Sequence, residues 1–285
     1  MGFDSNGARF LLSARERGAS FERTLTLGHQ DLHLAPEERA QILADYGLAD
    51  APLTDGPGFL RHLGADDVAA LDVSNYEGAR ILHDLNEPVG EEHKARYSAV
   101  IDAGTLEHVF NYAVGLKNAM EMVAVGGHLI TINPANNFLG HGFHQASPEL
   151  FFRALSPANG YEIGRVVLAE EGGGWYQVTD PASVRSRVQI VNERPTFVMV
   201  QARRTADVPV FAEWPQQSDY AMIWADHAGE RTAGQSPLVH GLRQRLRHIG
   251  PVWRTLRALK TTVAAPGERR RRSFQNRTHF RPVDR

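Results

Sequence analysis

Short apolar runs, each closed by a polar residue, alternate along the chain with stretches of helical spacing, and no feature narrows the fold more. Thr24-Leu25-Thr26-Leu27 stops at Gly28, Val68 to Val73 reads VAALDV, Ala79 to Leu85 reads ARILHDL, Ala99-Val100-Ile101 breaks into Asp102-Ala103-Gly104, and His128 to Ile132 stops before Pro134. Between them, helical spacing falls on residues 8–18, 36–46, 58–63 and 109–125, and Ser147-Pro148-Glu149 starts a further helix toward Leu155 with a capping hydroxyl, a first-turn proline and an acid at the positive end. Later strands are expected at 163–169, 188–191 and 196–202, with a loop or lid around Gly172 to Tyr176. Apolar strands that alternate with helices argue for an α/β fold with a parallel sheet covered on both faces. Such sheets bind ligands beyond the carboxyl ends of their strands, near the point where strand order reverses.

That edge is unusually polar. The strand ends supply Gly28-His29-Gln30, Asp72, Asp84, Asp102-Ala103-Gly104 and Asn133-Pro134. A lone acid at a strand end is commonly a turn or cap residue, but here three successive strands each bring one. Asp72 is placed where an acid accepts hydrogen bonds from a ribose diol, and Asp84 where one accepts from an adenine amino group.

At this level the chain resembles the class I S-adenosylmethionine-dependent methyltransferases over roughly residues 20–202. The likeness rests on ALDVSNYEG, ILHDLNEPV, VIDAGTLEHVFN and GGHLITINPANNFLGHGFHQASPELFFRAL. It is similar to a bacterial subgroup associated with small molecules or surface glycans that shares the LEHV and PANNF-GHGF-Q-SPELF segments. The resemblance implies a Rossmann-like, seven-stranded sheet in order 3-2-1-4-5-7-6 with the last strand antiparallel, and S-adenosyl-L-methionine as cofactor. It implies that Asp72 holds the ribose, Asp84 with Leu85 holds adenine, and Asp102, Ala103, Gly104 and Thr105 border the methionine part. The first strand departs from the pattern: TLTLGHQDLHL supplies only Gly28 where three close glycines are expected, and 39 residues separate Gly28 from Val68. Glycines there let backbone approach a ligand at a helix N-terminus. A sulfonium donor has no phosphate to cradle, so a one-glycine turn aided by Gln30 meets the need.

Methyl transfer from a sulfonium asks for in-line approach and usually a base. Glu107 and His108, after the fourth strand, and His141 and His144, in NNFLGHGFHQ after the fifth, are the candidate catalytic residues. Each also has a structural reading, as a helix-start acid, a packed histidine or a loop histidine. His141-x-x-His144 alone is a weak metal signal with no evident carboxylate partner, so no metal is expected. Asn133-Pro134 does not point to an amino-methylating DNA enzyme, because it follows the fifth strand and lacks a second proline and an aromatic. The expected acceptor is a polar small molecule, a sugar or specialised metabolite, methylated on oxygen or nitrogen. The competing reading is a non-catalytic methyltransferase-like partner or scaffold, which the missing glycines favour. A nucleotide-sugar enzyme is weaker still, for want of a dinucleotide fingerprint.

Composition sets the remaining bounds. With no cysteine among 285 residues, disulfides and thiolate chemistry are excluded. No apolar run approaches the ~18 residues of a spanning helix, and the N-terminus carries neither a signal-peptide core nor a myristoylation pattern, so a cytoplasmic location is expected. Charge is uneven: residues 238–285 carry 13 Lys/Arg against two acids, a net +11 that leaves −13 on the rest. Division into an α/β domain at 1–205 and a basic, partly helical extension at 206–285, mobile at its end, follows. Amphipathic spacing over 237–263 suits helices that pack on the core or on a second subunit as a homodimer, a membrane surface, or an anionic partner.

Overall fold

A computed structural model describes residues 2–47, 55–227 and 270–284. It divides into two compact units. The first comprises Met1–Val178, Glu193–Pro215 and Pro282–Arg285, and the second Thr179–Asn192 with Gln216–Arg281. The expected helices of 237–263 lie outside the described residues.

The first unit holds strands β1 (Gly2–Phe3), β2 (Arg23–Leu27), β3 (Asp31–Leu32), β4 (Asp67–Asp72), β5 (Ile81–Leu82), β6 (Tyr97–Ala103), β7 (Val123–Asn136), β8 (Tyr161–Glu170), β9 (Trp175–Val178) and β10 (Thr196–Arg204). Its helices are α1 (Ser5–Glu16), α2 (Pro36–Asp45), α3 (Gly56–His62), α4 (Tyr112–Met122) and α5 (Pro148–Ala154). β1 and β3 form a small parallel pair. The other strands form a mixed sheet ordered β9-β8-β10-β7-β6-β2-β4-β5. β7, β6, β2, β4 and β5 run parallel, and β10 is antiparallel to both β7 and β8.

Local chemistry sets the helix starts. Asp4 accepts from Gly7 N at 2.7 Å, Asp55 from Gly58 N at 2.6 Å and Ser147 from Leu150 N at 3.3 Å, each meeting a donor that a helix N-terminus leaves open. α1 lays Phe10, Leu11 and Ala14 on one face of the sheet, against a core that includes Ile101, Ile130, Met199 and Trp175. Burying a side chain such as Phe10 or Leu11 stabilises by about 1.5–3 kcal/mol.

Several elements differ from the sequence reading. The run at 79–85 forms a strand only at Ile81 and Leu82; His83 N still donates to Asp72 O at 2.9 Å, and the chain then turns at Asp84 to Glu87, where Glu87 N donates to Asp84 O at 2.9 Å. The helix expected from Val109 begins at Tyr112, after a 3-10 turn at Leu106–His108, and yields to β7 at Val123. The loop or lid is in part a strand. β9 pairs with β8, and Trp175 is fully buried, its Nε1 donating to Asn6 Oδ1 at 2.8 Å and its ring lying 5.9 Å from that of Phe10. Residues 188–191 form no strand.

In the second unit α6 (Ser218–His227) carries Asp219, whose carboxylate pairs with Arg187 at 2.6 Å. Val191 N donates to Arg272 O at 2.7 Å. Described residues resume at Arg270. Asn276 Nδ2 donates to Arg271 O at 2.8 Å, and Phe280 is buried with its ring 5.4 Å from that of Phe274. The last described strand is β11 (Phe280–Val283).

Candidate functional site

From β2 the parallel part of the sheet proceeds outward through β4 to β5, then returns to β6 on the other side of β2. Strand order therefore reverses between β2 and β6, where Leu27 pairs with Asp102. The carboxyl ends of these two strands flank the place where such sheets bind ligands. Gly28 follows β2 with φ +69° and Gly104 follows β6 with φ +88°, both in the left-handed region that favours glycine. Gly28 N donates to Leu71 O at 2.7 Å, tying the turn to β4.

Gln30 is buried and its amide turns inward: Nε2 donates to Leu27 O at 2.9 Å, and Thr105 Oγ1 donates to the same carbonyl at 2.6 Å. Gln30 Oε1 is the atom left without a hydrogen-bond partner. Asp72, at the end of β4, accepts from Ser74 N at 3.1 Å. Asp84 is exposed and closes its own turn, accepting from Asn86 N at 2.9 Å and Asn86 Nδ2 at 2.8 Å, and these bonds hold its carboxyl below the usual value. Leu85 and Ala103 are buried beside these turns.

The β6–β7 side is built differently. Asp102 pairs with Thr131, so Asn133, two residues further along β7, projects from the same sheet face. Asp102 Oδ1 accepts from Thr105 N and Leu106 N, both at 3.1 Å, and Oδ2 accepts from Asn133 Nδ2 at 2.6 Å. Its carboxylate is thus committed to the Leu106–His108 turn and to Asn133, and what it lends the crevice is the main chain of 102–104. Asn133 Nδ2 also reaches Glu107 Oε2 at 3.5 Å. Asp102 and Glu107 are 0% and 1% exposed. Burial raises the Asp102 carboxyl against the pull of its donors. Burial first, and then the Asp102 charge, pushes Glu107 up to about 8. Tyr112 closes the same space with a hydroxyl that has no hydrogen-bond partner, and burial lifts its pKa well above the usual value.

The loop after β7 is latched to Glu107. Phe143 N and His144 N donate to the Glu107 carbonyl at 2.7 and 3.2 Å. Gly142 makes this approach possible: its φ is +70°, and a Cβ there would stand 2.7 Å from Glu107 O. The latch carries His141 over the Glu107 carboxylate, with Nε2 3.3 Å from Oε1. The rings of His108 and His141 lie 5.1 Å apart, and burial, followed by the neighbouring His141, lowers the His108 pKa. Glu107, His108 and His141 present ligand atoms all within 4.8 Å of one another. The carboxylate partner absent from the sequence reading of His141 is therefore Glu107, 34 residues earlier. His144 instead turns to the Phe110 carbonyl, 3.1 Å from its Nε2. It lines a cleft of about 350 Å³ with Tyr112, Leu116, Leu150, Phe211 and Trp214.

The structure thus joins three of the four candidate catalytic residues and places the fourth on an adjoining cleft. Sequence reasoning missed Asn133 and Tyr112 as members of the cluster. A strand-end asparagine two residues past the partner of a strand-end aspartate was the available signal for the first; nothing marked the second.

No protein-family model and no curated protein sequence matches the chain. Among solved structures it is similar to the trans-methyltransferase CalH with S-adenosylhomocysteine, at 12% identity and a TM-score of 0.40, over 70% of this chain but only 57% of that one. It is similar to the N-methyltransferase NodS from Bradyrhizobium japonicum, at 12% identity and a TM-score of 0.40, over 70% and 87% of the two chains. A third is the branched-chain polyamine synthase from Thermus thermophilus, at 16% identity and a TM-score of 0.38, over 75% and 61%. These likenesses are distant, and the functional reading rests on the chain's own residues.

Proposed function

We propose that the chain is an S-adenosyl-L-methionine-dependent methyltransferase acting on an oxygen or nitrogen of a polar small molecule. The observation that carries this reading is the reversal of strand order between β2 and β6. Gly28 and Gly104 stand on its two sides, and Asp72 and Asp84 follow the next two strands. The run β5-β4-β2-β6-β7-β10-β8, with β10 antiparallel, supports the order 3-2-1-4-5-7-6 expected of such enzymes.

In this reading Asp72 receives the ribose hydroxyls, while Asp84 and Leu85 border the adenine. The Gly28 turn with Gln30 Oε1, and the main chain of Asp102, Ala103 and Gly104, border the methionine part. Glu107, His108, His141 and His144 stand on the acceptor side. The cleft beside His144 offers an apolar wall, so an acceptor carrying a ring or hydrocarbon portion beside its polar group suits it. The protein's main contribution is to hold the acceptor atom in line with the methyl group.

Calorimetric titration of the full chain with S-adenosyl-L-methionine and with S-adenosylhomocysteine tests the reading. Binding of both at one per chain is expected. A folded chain that takes up neither returns the non-catalytic reading, which the single-glycine turn and the full commitment of the Asp102 carboxylate favour.

A further inference from the structure

We infer that Glu107, His108 and His141 form a binding site for a divalent first-row metal ion of the zinc and cobalt kind. Their ligand atoms already lie within 4.8 Å of one another. Glu107 Oε1 and His141 Nε2 stand 3.3 Å apart, about the separation of two tetrahedral ligands at metal bonds of ~2.0–2.1 Å.

The carboxylate is prepared unevenly. Asn133 Nδ2 is directed to Oε2, whereas Oε1 is buried, faces the imidazole and receives no hydrogen bond. A buried bare carboxylate oxygen is costly unless a cation or a proton meets it. A metal ligand whose other oxygen is oriented by a supporting amide is the usual construction of such sites. The Gly142 latch fixes the distance between loop and carboxylate. The competing claims on nearby groups are already met: Asp102 is bonded to Thr105, Leu106 and Asn133, and His144 to Phe110.

Two imidazoles and one carboxylate suit zinc, cobalt, nickel or iron far better than magnesium or calcium, which take oxygen ligands. Three protein ligands leave at least one position open, and both His108 and His141 are exposed to solvent. The open position takes water or an oxygen of the methyl acceptor, and this last assignment alone rests on the methyltransferase reading.

Cobalt(II) is the probe of choice, because its visible d–d absorption reports coordination without any assay of activity. Metal-stripped full chain is titrated with Co²⁺ and then with Zn²⁺. One equivalent of Co²⁺ is expected to produce the band, and Zn²⁺ to bleach it. Glu107→Gln and His141→Ala should each weaken binding at least ~10-fold, while His144→Ala retains the wild-type titration. Far-UV circular dichroism of each variant separates a lost ligand from a lost fold, and Glu107→Gln keeps the side-chain shape. Absence of the band overturns the site, as does an unchanged titration in folded Glu107→Gln and in a folded His108→Ala/His141→Ala double variant. Donor calorimetry is read separately. A chain that binds Co²⁺ but no S-adenosyl-L-methionine keeps the metal site and loses the methyltransferase reading, and the converse result does the opposite.

Discussion

The two sides of the crevice place their acids by opposite means. On the β4–β5 side, Asp72 and Asp84 each accept from the main-chain N–H two residues ahead, and Asp84 is exposed. On the β6–β7 side, Asp102, Glu107 and Asn133 are withdrawn from water and depend on one another across two strands and a loop. The effect on proton affinity has opposite sign: the Asp84 carboxyl sits below its usual value, while Glu107 is pushed up to about 8. A solvated carboxylate needs only a turn to hold it. A buried pair of carboxyls costs stability unless donors or cations meet both members. The first side is simple to build and tolerant of change; the second is demanding and specific.

Asn133 is where this contrast should be largest. Asn133→Leu keeps much of the volume but removes the donor facing both buried carboxyls. A loss of about 3 kcal/mol is expected, seen as a fall in Tm of about 6–12 °C; an unchanged Tm would mean the buried side is no more interdependent than the exposed one. Gly142→Ala comes next. The left-handed backbone and the contact with Glu107 O should cost about 1–3 kcal/mol, and chemical denaturation measures it. The same variant should weaken Co²⁺ binding by displacing His141.

Effects on the exposed side should fall on binding rather than on stability. Asp72→Ala removes a charged acceptor worth about 1.5–3 kcal/mol to a diol, so calorimetry should show donor and product both weakened roughly 10- to 100-fold at an unchanged Tm. Asp84→Ala should weaken them less, since that carboxylate takes two hydrogen bonds from its own turn and Asp72 takes one. Smallest at neutral pH is His128, the buried sixth residue of β7. Burial, followed by Arg203, holds its imidazole below the usual histidine value. Its contribution is therefore intact above that value and lost as pH falls through it toward the lower folded-state value. His128→Gln should flatten the acid limb of the stability profile and leave the neutral region alone; an unaltered acid limb would assign the loss elsewhere.

Much of the framework is legible in the residues. The apolar runs at 24–27, 68–73, 99–101 and 128–132 fall on β2, β4, β6 and β7, because a strand buried on both faces leaves a nearly continuous apolar signature. The edge strand β5 is shorter than its apolar run suggests, since a sheet edge has pairing partners on one side only and the polar turn takes over at Asp84. Trp175, preceded by three glycines, reads as part of a loop, but its contact with Phe10 is made across the fold and leaves no mark in its neighbours. The candidate site is legible in its members and not in its pairings. Glu107 and His108 announce themselves as a pair, as do His141 and His144, yet the structure matches Glu107 with His141. That match depends on two main-chain hydrogen bonds from Phe143 and His144, which no side chain encodes. Asp102 is recognisable as a strand-end acid, but whether such an acid faces a ligand or braces a turn is decided by Asn133 on the next strand.

The latch on the Glu107 carbonyl has a kinetic consequence. Phe143 has an exposed side chain, yet its amide hydrogen is held by the main chain beneath the loop, with N and O 2.7 Å apart. Breaking that contact frees the loop segment that carries His141 over Glu107. Deuterium uptake at the Phe143 and His144 amides therefore clocks how often the loop opens, and anything that clamps His141 to Glu107 should slow that clock at those two amides first.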